Sequence, residues 1–237
     1  MYWMCNFRIM GYTFAMKNTQ QKQLLLAGGF VALMVAVTVG LALISKGNTV
    51  GGFISSQTSA ITSSDHIRGA TSSSVSIIEY GDFQCPACGT YEPIVQQLEK
   101  KYGDKVTFVF RHFPLYQIHP NALISAQATE AASLQGKFWE MHDILYSTQK
   151  EWSELTTPDA TKKIHQYAVG LGLDSDQFDT DITAPTTIAK VQLQLKSGEA
   201  AKIDHTPTFF LNLTQIQNPN SYDEFAKVID AALASQK

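Results

Sequence analysis

From residue 75 onward the apolar positions follow two periods in turn. Val75 opens a short run, Ser76-Ile77-Ile78-Glu79-Tyr80, whose length and composition predict a strand. Between Pro86 and about Tyr102 the apolar residues Tyr91, Ile94, Val95, Leu98 and Tyr102 recur at helical spacing and make one stripe. Pro93 falls inside that stripe and is expected to kink the helix, since it lacks an N–H and crowds the preceding turn. Gly103-Asp104 reads as a turn, and Val106 to Phe110 as a buried strand, apolar on both faces. Helical patterns follow over Ala122–Leu134, Phe138–Tyr146, Pro158–Leu171 and Ile188–Leu195, with Phe138, Trp139, Tyr146 and Trp152 read as core. Thr208 to Leu213 reads as a further strand and Gln215 to Gln217 as its partner. Asn212-Leu213 stands where a two-residue hairpin favours Asn-Gly, so a longer turn is expected. Ser221 and Glu224 form a capping box that opens the last helix. Strand, helix, strand, helical block, strand pair, helix predicts a mixed α/β body with a helical insertion.

The N-terminal third has another character. Residues 1–23 carry Arg8, Lys17 and Lys22 and no acidic side chain, and residues 24–45 carry no charge at all. About 20 such residues span a bilayer as a helix. The basic flank points to a cytoplasmic N-terminus with the body outside. The apolar run exceeds the usual length of a signal-peptide core and lacks a good cleavage site, so an uncleaved anchor is expected. Residues 46–74 are dominated by Ser, Thr and Gly and read as a flexible linker to a domain at 75–237.

A chain of 237 residues, 44% of them hydrophobic, accommodates one or two domains with a proper core. Its net charge of -3 offers no basic face for nucleic acid. Three cysteines are too few for a disulfide scaffold: Cys5 stands alone near the N-terminus, and Cys85 and Cys88 are two residues apart. They lie in Gly81-Asp82-Phe83-Gln84-Cys85-Pro86-Ala87-Cys88-Gly89, between a predicted strand and a predicted helix. A helix N-terminus offers unpaired N–H groups and positive dipole to a thiolate, the reactive form of cysteine. Pro86 occupies the first helical position, where proline is tolerated.

These residues resemble the DsbA-like branch of the thioredoxin superfamily, specifically its membrane-anchored members. Cys85-Pro86-Ala87-Cys88 matches the Cys-x-x-Cys motif, Pro93 the kinking proline, Thr206-Pro207 the cis-proline loop, and Glu79 a buried acid six residues before the first cysteine. The resemblance implies a thioredoxin-like α/β fold with an inserted helical domain at about 118–200, preceded by one transmembrane helix. It implies Cys85, exposed at the helix tip, as the attacking or attacked sulfur and Cys88, covered, as the resolving one. Pro86 and Ala87 set the motif, Thr206-Pro207 presents an extended edge to substrate, and Glu79 accepts or relays a proton for Cys88. No cofactor or metal is implied. The partners implied are exported proteins with cysteine thiols and a DsbB-like or VKOR-like membrane redox protein.

The expected function is therefore a thiol–disulfide oxidoreductase at the cell membrane, acting outside the cytoplasm as an oxidase of exported proteins. An isomerase or reductase on the same scaffold is the first alternative, and a tethered binding module without redox chemistry the second. A structural zinc site would want a second pair of cysteines, which the sequence lacks. His205 beside the loop, and His112, His119, His142 and His165 elsewhere, show no spacing that demands a function.

Overall fold

The structure, a computed structural model, describes residues 53–236. The segments expected at 1–23 and 24–45, and Cys5, lie outside the described residues. Among the described residues no helix is long and apolar enough to cross a membrane.

Six strands form one mixed sheet: β1 (Phe53–Gln57), β2 (His66–Gly69), β3 (Ser76–Gly81), β4 (Thr107–His112), β5 (Thr208–Leu211) and β6 (Thr214–Ile216), in the order β1-β6-β5-β3-β4-β2. Among the described strands only β3 and β4 run parallel, Glu79 lying opposite Phe110 and Tyr80 opposite Arg111. Their crossover is α1 (Pro86–Tyr102), the right length for a βαβ unit. Every residue of β3 and β4 is buried, as central strands covered on both faces must be.

Between β4 and β5 the chain makes six helices: α2 (Ala122–Leu134), α3 (Phe138–Ser147), α4 (Gln149–Trp152), α5 (Thr157–Gly170), α6 (Ser175–Ile182) and α7 (Pro185–Ala200). α2 is alanine-rich on its buried side, and this lets it pack closely on α3 and α6. One cluster, with Trp152, Met141, Leu145, Ile164 and Phe178 at its centre, runs from this helical block to Phe83, Cys85 and Cys88. The insertion and the cysteine loop thus share a core. A second cluster lies between the sheet and helices α1 and α8 (Tyr222–Ala234).

Three expectations need correction. The Ser/Thr/Gly-rich stretch is not a free tether from Phe53 on, because β1 pairs with β6 and β2 pairs with β4. Low apolar content did not prevent strand formation there, since the partners are edges of an existing sheet and supply the burial. The hairpin turn is not lengthened: Asn212 and Leu213 alone connect β5 to β6, both with positive φ (47° and 70°). That backbone is unusual for leucine. It is held on both sides, as the Asn212 side chain accepts from the Ser76 N–H (2.8 Å) and the Leu213 carbonyl from the Thr58 N–H (2.9 Å). The last helical pattern is also longer than its apolar stripe, since α7 begins at Pro185, a favoured first helical position.

Candidate active site

β3 ends at Gly81 and the chain turns into α1 within four residues. Gly81 is required there: a Cβ would lie 2.4 Å from the Phe110 ring and 2.9 Å from the Tyr146 hydroxyl. Cys85 is the N-cap of α1 in extended conformation, and Pro86 follows at the first position. No acidic residue stands in the first turn, so nothing there opposes a negative charge on the sulfur.

Cys85 is not exposed as expected. It is 7% accessible, tucked under the 206–207 loop, with Pro86 and Ala87 at the surface in its place. Cys88, one turn in, is 0% accessible. Both are thiols. The Thr206–Pro207 peptide is cis, and the Cys85 Sγ–H donates to the Thr206 carbonyl at 3.4 Å. A carbonyl oxygen can only hold the neutral thiol. The Thr206 hydroxyl is buried without a partner, and after the Cys88 thiol it is the group that most lowers the Cys85 pKa. The two contacts belong to different protonation states, the hydroxyl becoming a donor once the sulfur is an anion.

The two sulfurs are driven in opposite directions. The Cys85 pKa falls to about 5, first through the Cys88 thiol, then through the Thr206 side chain and the amides of Cys88 and Ala87, against the opposing effect of burial. That of Cys88 is pushed well above the ordinary thiol range by burial, then by Cys85 and by Glu79. At neutral pH one sulfur is a nucleophile and the other keeps its proton.

Glu79 is buried on β3, 6% accessible, and not a solvent-facing strand carboxylate. Burial, then the charges of Glu92, Glu99 and Cys85, raise its pKa well above the carboxylate range, so it is held neutral. With Glu92, Glu99 and His142 it lines a small space of about 10 Å³, at the lower limit of what holds one water. The structure brings Cys85, Cys88, Pro86, Ala87, Thr206 and Pro207 together around one sulfur. His205 points away, exposed and paired with Asp204 (2.7 Å).

Sequence reasoning passed over the residues that hold the cysteine loop in place. The Asp82 carboxylate accepts from the Gln84 N–H (2.8 Å), the Leu115 N–H (2.9 Å) and His119 Nδ1 (2.7 Å). The Gln84 side chain accepts from the Asn121 N–H and donates to the Ser153 carbonyl, both at 2.6 Å. Gln149 donates to the carbonyls of Phe83 (2.8 Å) and Cys85 (2.9 Å). Polar residues at Asp82 and Gln84, inside an otherwise apolar strand-to-helix turn, were the available signal: buried polar groups in such a place need partners.

A family model described as Thioredoxin matches residues 62–231. The chain belongs to the thioredoxin family. Among solved structures the fold is similar to that of BdbD from Bacillus subtilis, oxidised (TM-score 0.66, 22% identity, 77% of this chain and 98% of that one). It is equally similar to alpha-DsbA1 from Wolbachia pipientis (TM-score 0.66, 19% identity, 74% and 94%). The fold is thus that of the DsbA-like thioredoxin proteins. By sequence the chain is 34% identical over 171 residues to Na(+)/H(+) antiporter NhaA 1 of Mycolicibacterium gilvum (70% of this chain, 26% of that protein). It is 36% identical over 173 residues to NhaA 3 of Salinispora tropica (73% and 25%). The chain spans about a quarter of the length of these curated relatives.

Proposed function

We propose that this thioredoxin-family chain is a thiol–disulfide oxidoreductase that oxidises substrate dithiols through Cys85 and Cys88. The observation that carries the reading is the opposite treatment of two sulfurs one helical turn apart. In the working cycle a substrate thiolate attacks Cys85 of the Cys85–Cys88 disulfide. A substrate–Cys85 mixed disulfide forms and Cys88 leaves with the electron pair of the broken bond. A second substrate thiolate then attacks the substrate sulfur, so the substrate gains a disulfide and Cys85 departs as a thiolate. Two electrons pass from substrate to enzyme.

Each step is favoured by what surrounds its sulfur. Cys85 is the better leaving group because its anion is stabilised by the Thr206 hydroxyl and the amides of Ala87 and Cys88. Cys88 leaves into a buried, apolar place and takes up a proton, for which we assign Glu79, a buried acid that acts on it. Stabilising the dithiol form's thiolate favours the reduced enzyme, and this supports the oxidising direction over isomerase or reductase work. The substrates we assign are exported proteins with free cysteines, and a membrane redox protein of DsbB-like or VKOR-like type would reoxidise the pair. The uncharged run at 24–45 with its basic flank supports a single-pass anchor and an extracytoplasmic domain. The dithiol supports thiol chemistry for this chain, which aligns with only about a quarter of the antiporters' length.

The test is disulfide transfer to a reduced peptide, together with the equilibrium constant against glutathione. The expected result is an oxidising equilibrium, with Cys85→Ser abolishing transfer. Transfer retained in that variant rejects the assignment of Cys85. A reducing equilibrium constant rejects the direction.

A further inference from the structure

No positive charge stands between the two cysteines: Pro86 and Ala87 are neutral, and no basic residue occurs in the motif from Gly81 to Gly89. Asp82, on the other hand, places a carboxylate 2% accessible to solvent only three residues from the reactive sulfur. Its backbone carbonyl accepts the Cys85 N–H at 3.0 Å, so it is tied directly to the nucleophile's own backbone. A buried anion there opposes a second anion at Cys85, since like charges in a poorly solvated site disfavour each other. The arrangement holds a thiolate more readily when the Asp82 charge is offset.

The group in position to cancel it is His119. Its Nδ1 is 2.7 Å from Asp82 Oδ2, and its side chain is 17% accessible, so it sits at the rim where a proton can come and go. The loop carrying it is fixed by the Leu115 N–H on the same carboxylate oxygen and by the Asn121 N–H on Gln84. Three ionisable groups face the imidazole: Asp82 from the β3–α1 turn, Cys85 from the tip of α1, and Glu154 from the segment after α4. All three are acids. The hydrogen bond to Asp82 first, then the charges of Asp82, Cys85 and Glu154, raise the imidazole's pKa, while burial opposes them.

We propose that His119 is the cation of this site: protonated and held by Asp82, it offsets the Asp82 charge and stabilises the Cys85 thiolate. It touches no reacting atom and acts through charge alone. This inference rests on the reading of Cys85 as the nucleophile. Its contribution adds to those of the Thr206 hydroxyl and the helix amides, which are the larger ones. A partly solvated ion pair is typically worth about two- to fivefold in an equilibrium constant, or about 0.3–0.7 pH unit in a titration. The sign follows from linkage. The proton on His119 favours the thiolate, so the thiolate must favour the proton by the same factor. The thiolate exists only in the reduced protein, so His119 titrates higher in the reduced form than in the disulfide form. The oxidising tendency then weakens as pH rises through the His119 transition.

The decisive measurement is the NMR titration of the His119 ring in both redox forms of the wild-type protein. An upward displacement of about 0.3–0.7 unit on reduction is expected, and coincident titrations overturn the inference. A pair of variants tests the same coupling from the sulfur. His119→Asn keeps an N–H donor for Asp82 but has no proton to gain, and should raise the Cys85 thiolate pKa by the same amount. His119→Lys should restore it. If both variants fold and match wild type in thiolate absorbance against pH, the inference fails. If either does not fold, the wild-type titration still decides. A wild-type Cys85 found protonated at neutral pH sinks the proposed function itself. A low Cys85 pKa with an unresponsive His119 sinks only this inference.

Discussion

Two buried ionic clusters sit on opposite faces of the β3–β4 pair, one residue apart in register. On one face Arg111 lies opposite Tyr80 and every arm of its guanidinium is occupied. Nε and Nη2 hold both oxygens of Asp65 (2.8 and 2.9 Å), Nη1 reaches the Thr58 and Tyr80 hydroxyls, and the Ser59 and Ala60 carbonyls take what remains. On the other face Glu79, opposite Phe110, has no hydrogen-bonding side-chain partner among the described residues. It looks instead into a small space shared with Glu92 and Glu99. Both clusters are costly to desolvate. The first recovers that cost in bonds and fastens the 58–65 segment to the sheet. The second recovers it at Glu99, paired with Arg68 (3.0 Å), and at Glu92, bonded by Gln96 (2.8 Å), but not at Glu79, the acid that acts on Cys88, where a neutral, proton-bearing group has chemical use.

The comparison breaks first at Arg111. Arg111→Met leaves the Asp65 side chain without its hydrogen-bonded guanidinium partner, and losing one partner of such a buried pair typically costs about 3–5 kcal/mol. Denaturant unfolding should show a loss of that order. A loss below about 1 kcal/mol would mean the cluster is solvated and that these hydrogen bonds are not what secures the 58–65 segment.

This cluster was hidden in the sequence for a physical reason. Asp65, Thr58 and Ser59 lie in a stretch whose Ser/Thr/Gly composition cannot form a core by itself, and only pairing with β4 and β6 gives it structure. What was legible were the features with local causes. The stripe of α1, the apolar strands β3 and β4, the Ser221–Glu224 cap (3.3 Å) and the limits of α2 all follow from neighbours in sequence. In the site, the cysteines could be read from their spacing, and the proline loop from its resemblance to that of DsbA-like proteins. Asp82, Gln84, Gln149 and His119 could not, because their bonds span about 30 to 70 residues, between the cysteine loop and the helical insertion or the loop leading into it. The short α6 has an Asp174 cap and yet little apolar content, and it forms because Phe178 and Ile182 are packed against α2 and α5.

Glu130 sharpens the contrast from the Glu79 side of the sheet. This carboxylate, on α2, is as buried as Glu79 but accepts from His66 and His112, each at 2.9 Å. Its pKa falls to about 2: burial alone would raise it, and the hydrogen bonds from His112 and His66 overcome that. His112 is itself pushed down by burial. At neutral pH it therefore acts on Glu130 as an N–H donor rather than as a full cation, so its charge is counted less here than its hydrogen bond. A depressed acid stabilises the fold above its unfolded value of about 4.3, and that stability is lost as pH falls toward 2. Glu130→Gln should cost about 2 kcal/mol at pH 7, the usual worth of hydrogen bonds to a charged group. The difference from wild type should narrow steadily below pH 5. A deficit that stays constant down to pH 2 would show that shape, not charge, matters at this position.

The smallest effect on stability is expected at Glu79, and it has the opposite sign. Its folded pKa is raised, so the native state binds a proton that the unfolded chain releases above about pH 4.3. Stability from this residue is therefore present at low pH and declines as pH rises toward the folded value. Glutamine copies the neutral acid in shape and cannot ionise. Glu79→Gln should match wild type at pH 4 to within about 0.5 kcal/mol and become relatively more stable as pH increases. The same variant has nothing to pass to the Cys88 sulfur. If Glu79 serves that thiol, opening of the Cys85–Cys88 disulfide by a substrate thiolate should slow by about 10²-fold, the low end for a positioned proton donor. Stability gained together with transfer slowed would mark a group kept unpaired for its chemistry. Stability lost, with transfer unchanged, would make Glu79 a second Arg111, and the contrast between the two faces of the sheet would disappear.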